Sequence, residues 1–145
     1  MQEERNKAIM RRFITEYQTG GDEAVLADTI AADVVDHSRP PGIAPGIEGV
    51  RQQFDGFRRA FPDFRATVLD MVAEGDRVVT YKAFHGTHEG ELMGIPATGR
   101  TVEILVIDIV RLAGGQVVEH WNVVDPLGLM QQLGALPAPE AAAAG

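Results

Sequence analysis

The chain has no cysteine, a single serine, two lysines and one tryptophan. Without cysteine there is no disulfide and no thiol nucleophile. Ser38 sits in His-Ser-Arg-Pro-Pro, not in the strand-to-helix elbow that exposes a catalytic serine. Lys7 and Lys82 are the only lysines. Lys82 falls in a strand-like stretch, where a solvent-facing side chain is expected in preference to a Schiff-base amine. No glycine-rich phosphate loop is present. No run approaches the ~18 apolar residues of a membrane span. The charged, helix-patterned N-terminus lacks the apolar centre of a secretory signal, so a cytoplasmic location is expected. Cations are scarce: 13 Lys and Arg stand against 21 Asp and Glu, a net charge of −8. That balance argues against nucleic acid and anionic membrane surfaces as partners. Chemistry is left to carboxylates, histidines, tyrosines and amides.

What is present suits one globular domain. The 145 residues are 45% hydrophobic and 23% charged, which is ordinary for a single core. The domain is expected over residues 1–136, followed by a low-complexity, disordered tail over 137–145. Apolar residues at helical spacing predict an amphipathic helix over 3–19, stopped by Gly20-Gly21. Asp22 predicts the cap of a short helix through Ile30. Val34 to His37 reads as a strand, and Ile47 to Phe61 as a helix with Val50, Phe54, Phe57 and Phe61 on one stripe. Strands are expected over 65–74 and 77–88, then a hairpin from Thr101 through a Gly114-Gly115 turn, then a closing helical turn near 127–133. Helices followed by a long antiparallel meander make an α+β layer design, a curved sheet wrapped against helices. Such a sheet encloses an apolar cavity with a few convergent polar groups.

The hairpin carries the most information. Residues two apart share a face, so Val102, Ile104, Val106, Asp108 and Val110 lie together, as do Val118, His120, Asn122 and Val124. A tight two-residue turn alone would set Asp108 opposite Trp121. A three-residue loop with a glycine bulge shifts the pairing by one. Arg111 then faces Glu119, Val110 faces His120, and Asp108 faces Asn122. Opposite charges pair in this register, each cross-strand pair contributing roughly 0.2–1 kcal/mol. It gathers Asp108, His120 and Asn122 on the inner face and turns Trp121 outward, to packing or an oligomer contact. A carboxylate among Val106, Ile107, Ile109 and Val110 is expected to have its pKa raised by burial, as suits a general base tuned towards neutrality. His120 is a candidate acid, base or orienting group, and Asn122 a donor to a substrate oxygen. Phe13 and Tyr17 on the first helix, His37 at the rim, His88 at the mouth and Met93 as a flexible apolar wall complete the expected pocket. Asp125, before Pro126, fits a helix cap. His85 and His88 are spaced to lie on opposite strand faces, so no metal site is expected.

Several separated segments, Ala60–Phe64, Gly86–Arg100, Gly114–Asp125 and Gly128–Gly134, resemble the SnoaL-like polyketide cyclase family. The resemblance implies the cone-shaped α+β barrel of the nuclear-transport-factor-2-like superfamily, no cofactor, a bulky apolar substrate and a homodimer or homotetramer. It implies a cyclase acting in secondary metabolism by acid/base catalysis of an intramolecular aldol-type ring closure. The acidic residue that directly follows the tryptophan in that family is Asn122 here, and an amide does not take up a proton at neutral pH. The family's second position falls on Asp108. The resemblance then implies exchanged roles, with Asp108 as base and Asn122 as orienting donor. An isomerase, an epoxide hydrolase or cyclase, a binding protein without turnover and an assembly module stay open as alternatives.

Overall fold

The computed structural model describes residues 1–137, and the expected tail from residue 138 onward lies outside them. The chain begins with helix α1 (Gln2–Arg12), which continues into a π-helical segment (Phe13–Thr19). Phe13, Ile14, Tyr17 and Gln18 turn inward along this widened segment. The single helix expected over 3–19 is therefore two kinds of helix, and Gly21, at φ 71°, ends it in the left-handed conformation that glycine adopts freely. Helix α2 (Glu23–Thr29) starts where Ala24 N–H donates to the Asp22 carboxylate at 3.0 Å.

Strand β1 (Ile30–Asp36) starts earlier than its apolar pattern suggested, because its pairing is irregular between Ile30 and Val35 and interrupts the alternation. Helix α3 (Ile47–Ala60) follows a proline-rich loop. Strands β2 (Arg65–Glu74), β3 (Arg77–Thr87), β4 (Thr101–Ala113) and β5 (Gln116–Val124) form the antiparallel meander, and α4 (Pro126–Gln132) closes the chain. The Asp125 carboxylate caps α4 by accepting from Gly128 N–H at 2.9 Å.

The sheet order is β1-β5-β4-β3-β2, with β1 parallel to β5 and the other pairs antiparallel. It is curved and does not close. The helices cover its inner face. Met10, Phe13, Ile14 and Tyr17 pack there with Phe54, Phe61, Phe64, Phe84 and the inward residues of β4. On β4 every second residue from Val102 to Leu112 is buried, and Asp108 is one of them.

The β4–β5 register is the one that pairs opposite charges: Arg111 with Glu119, Val110 with His120, Asp108 with Asn122. Its origin differs from the expected three-residue loop. Gly114 and Gly115, at φ 59° and 79°, make a two-residue turn of the kind that demands positive φ twice. The shift arises further along: Leu112 pairs with Val117 while Arg111 pairs with Glu119, which leaves Val118 as the bulged residue.

Candidate active site

A line of buried and half-buried polar groups crosses the inner face, one from each of four strands and one from the π-helical segment. Lys82 on β3 places Nζ 2.5 Å from Asp108 Oδ2 and donates to Gln18 Oε1 of the π-helical segment at 3.2 Å. Asp108 Oδ1 accepts from His120 Nε2–H at 2.6 Å. His120 Nδ1–H donates to Asp36 Oδ1 of β1 at 3.0 Å. The same Asp36 oxygen accepts from Ser38 N–H at 2.9 Å. The inner pair is buried, with side chains 3% exposed at Lys82 and 7% at Asp108, and the outer pair is half-buried, 24% at His120 and 13% at Asp36. The register explains the convergence. Asp36 pairs with His120 across β1–β5, and the bulge sets His120 one step from Asp108.

Charges alternate along this line, and each stabilises its neighbour. Burial pushes the Asp108 carboxyl up, but Lys82 and then His120 outweigh it and hold it at about 2. Burial pushes the His120 imidazole down, but its hydrogen bonds to Asp108 and Asp36 outweigh that and raise it to about 9. Asp36 likewise ends below its ordinary value, burial being outweighed by His120 and by the Ser38 N–H. At neutral pH the set is therefore ammonium, carboxylate, imidazolium, carboxylate. This corrects two expectations. Asp108 is not a base tuned towards neutrality, because two cations flank it. Lys82 does not face solvent, because the alternation of β3 puts it on the inner face with Thr80 and Phe84, where all three are buried.

Asp36 connects the line to open space. A cleft of about 460 Å³ lies along the free edge of β1, lined by Ala32, Val34, Asp36, Arg39, Pro45 and Gly46 among others. The edge strand, not the centre of the sheet, thus supplies the group that meets this cleft.

The family model for SnoaL-like polyketide cyclases matches residues 8–133. The chain belongs to the SnoaL-like polyketide cyclase family. An aklanonic acid methyl ester cyclase, DauD, of a Streptomyces species is 26% identical over 141 residues, covering 91% of this chain and 84% of its own. The nogalonic acid methyl ester cyclase of Streptomyces nogalater is 26% identical over 114 residues, covering 78% of this chain and 82% of its own. Among solved structures, TsrD of Streptomyces laurentii superposes with a TM-score of 0.84 at 32% identity, covering 92% of this chain and 97% of TsrD. IdmH of Streptomyces antibioticus gives a TM-score of 0.78 at 35% identity, covering 89% and 98%.

The structure brings Asp108 and His120 into direct contact and sets Asn122 opposite Asp108 in the ladder. At this SnoaL-like position Asn122 is held through its backbone, to which the Ser38 hydroxyl both donates and accepts. The expected pocket lining is placed elsewhere. Phe13 and Tyr17 are core residues, 5% and 0% exposed, and their rings stack on each other and meet Phe54 edge-on. His37 does not reach the inner face. It stacks on Trp121 at 4.7 Å and its Nε2 lies 2.8 Å from Glu119, because the face alternates between Asp36 and His37. His88 is fully buried and ties down its own loop: Thr98 N–H donates to its Nδ1 at 3.2 Å, beside the Phe61 ring. Met93 is 66% exposed at the tip of that loop, with φ 49°, so it forms no wall. His85 and His88 go to different neighbours, His85 lying 3.7 Å from Glu103.

Asp36, Lys82 and Gln18 are the functional candidates that strand alternation alone passed over. A signal was available for two of them. Asp36 follows Val34-Val35 in an apolar strand, and Lys82 has the parity of Thr80 and Phe84 on β3.

Proposed function

We propose that this chain is a cofactor-free cyclase that closes a ring in a polyketide, or a similar bulky apolar carbonyl compound, by intramolecular aldol addition. The family model and the two curated relatives support cyclase chemistry. One observation carries the residue assignment: His120 lies between two carboxylates, of which Asp36 borders the cleft and Asp108 is buried.

Asp36, ionised, takes the proton from a carbon next to a carbonyl group. The resulting enolate carbon attacks a second carbonyl carbon of the same molecule, and the new C–C bond leaves an alkoxide. Asp36 then returns its proton to that oxygen, so the protons balance with no other reagent. His120 donates to Asp36 throughout and steadies whichever oxygen carries the charge. A carboxylate held below its ordinary value is a weak base. It suits a C–H that is already acidic, such as one flanked by two carbonyls in a β-keto ester. The curated relatives are named as cyclases of methyl esters. Asn122, which cannot exchange a proton, serves as an orienting donor beside this pair.

The same reading takes the protein as a cytoplasmic homodimer or homotetramer built from one domain. Tyr81, Ile107 and Val123 are paired neighbours on the outer sheet face and are 39%, 47% and 74% exposed. A continuous exposed apolar ladder of this kind supports association through the outer sheet face. Among the described residues no helix is long and apolar enough to cross a membrane.

The test is conversion of an anthraquinone-type polyketide methyl ester, followed by chromatography, with wild type, Asp36→Asn and His120→Asn. Turnover by wild type, falling about 10²–10⁴-fold in each variant, is the expected result. Binding of the ester by wild type without product would replace the cyclase reading by a binding one. Wild-type rates in Asp36→Asn would overturn the residue assignment.

A further inference from the structure

Lys82 has no place in the chemistry described so far, yet it is among the most buried charged groups of the fold, 3% exposed. Its strand neighbours in register are Val68 and Val106. An apolar side chain would fit such a setting, since a buried ion pair gives little or no stability over apolar residues of similar volume. The cation is nevertheless held firmly. Asp108 Oδ2 lies at 2.5 Å, Gln18 Oε1 accepts at 3.2 Å, and the Phe84 ring faces the ammonium at 5.0 Å. Gln18 itself is 2% exposed and comes from the widened π-helical segment, a local distortion that is common at functional sites.

We propose that Lys82 is a positioning residue for the ring closure: from behind Asp108 it neutralises the inner carboxylate, so that the proton of His120 is shared towards Asp36 and the cleft. This rests on the assignment of Asp36 and His120 made above.

The charges facing His120 decide the sign of the effect. β4 presents Asp108, β1 presents Asp36, and β3 presents Lys82 on the far side of Asp108. The helical elements add neutral amides, Gln18 next to Lys82 and Gln53 next to Asp36. Glu119 lies on the other face of β5, where Arg111 and His37 meet it. The four inner charges sum to zero with Lys82 and to one negative charge without it. Taking the ammonium away makes Asp108 a stronger proton acceptor and leaves His120 a weaker acid. The imidazolium then holds its proton more tightly and leans inward, away from Asp36.

The experiment follows the ¹⁵N resonances of the His120 ring through a pH titration in wild type, Lys82→Met and Lys82→Arg, alongside the alkaline limb of kcat/KM. Removing a unit charge at this range shifts a neighbouring titration by about one pH unit or more. In Lys82→Met the His120 midpoint and the alkaline limb are expected to move up together by that amount, with kcat lowered more than KM is changed. Lys82→Arg keeps the charge and is expected to restore the wild-type midpoint. A folded Lys82→Met with an unmoved or lowered midpoint overturns the proposal. Should Lys82→Met not fold, Lys82→Met/Asp108→Asn decides. Recovery of folding shows that charge balance was the contribution of Lys82. Continued failure shows that packing of its stem was, and overturns the proposal. The ring titration needs no substrate, so this outcome is independent of whether the cyclase reading holds.

Discussion

The lone serine of the chain is latched to the position where the family resemblance places an acid: the Ser38 hydroxyl accepts from Asn122 N–H at 3.0 Å and donates to the Asn122 carbonyl at 3.2 Å. The pair extends the β1–β5 pairing two residues past Asp36, and the Ser38 N–H meanwhile donates to the Asp36 carboxylate.

Ser38→Ala is therefore expected to leave the backbone contact to Asp36 in place while freeing both Asn122 groups. Two hydrogen bonds lost at a half-buried site cost on the order of 1–2 kcal/mol. Urea denaturation would show that loss, and kcat/KM would fall less than in Asp36→Asn.

Asn122→Asp restores the acid suggested by the resemblance but sets it opposite Asp108. The four inner charges already balance, so a third carboxylate meets Asp108 uncompensated, and that like charge raises its folded-state pKa. Stability is then lost above the ordinary carboxylate range. The variant is expected to denature at lower urea than wild type at pH 8, and to approach wild type near pH 4. Equal midpoints at pH 8 would mean that the added group escapes the line of charges.

The His120 value of about 9, against an ordinary 6.5, fixes a pH window. A raised folded-state pKa contributes stability that is complete below 6.5 and disappears as pH rises through 9. Asp108 has the opposite sign: its contribution holds above 3.8 and is lost as pH falls towards about 2. Thermal midpoints should be level between about pH 5 and 6.5 and decline from there to pH 10. In His120→Asn the alkaline decline attributable to the imidazolium should be missing.

Ile107→Lys places a charge at the centre of the outer ladder between Tyr81 and Val123. Light scattering is expected to show a smaller particle than wild type, with the His120 ring titration unchanged. An unaltered mass would move the association surface elsewhere.

Much of this architecture was legible because alternation and charge pairing are local. The parity of Val102 to Val110 announced the buried face of β4, and the match of Arg111 with Glu119 selected the register. The bulge itself was not legible, since an extra residue in the turn or at Val118 gives the same downstream pairs. The pairing of Asp108 with Lys82 was missed for a different reason. Burial alone raises a carboxyl, and only the fold shows that a cation from a separate strand reverses the sign. Asp36 was hidden because its partner His120 is distant in sequence and is reached by a parallel pairing. Phe13 and Tyr17, expected to form a wall of the pocket, are core residues, which spacing along a helix does not distinguish. Their rings close against each other and against Phe54, with centroids 5.5–6.4 Å apart.

On β5 the residues from His120 to Val123 alternate between two tasks, His120 and Asn122 inward, Trp121 and Val123 outward. A slip of one residue would exchange the reacting surface for the associating one. On the proposed reading, catalysis and assembly thus share a single point of failure, and the bulged Val118 is upstream of both. Substitutions near the Gly114-Gly115 turn should consequently damage the two properties together, whereas those beyond Asn122 should separate them.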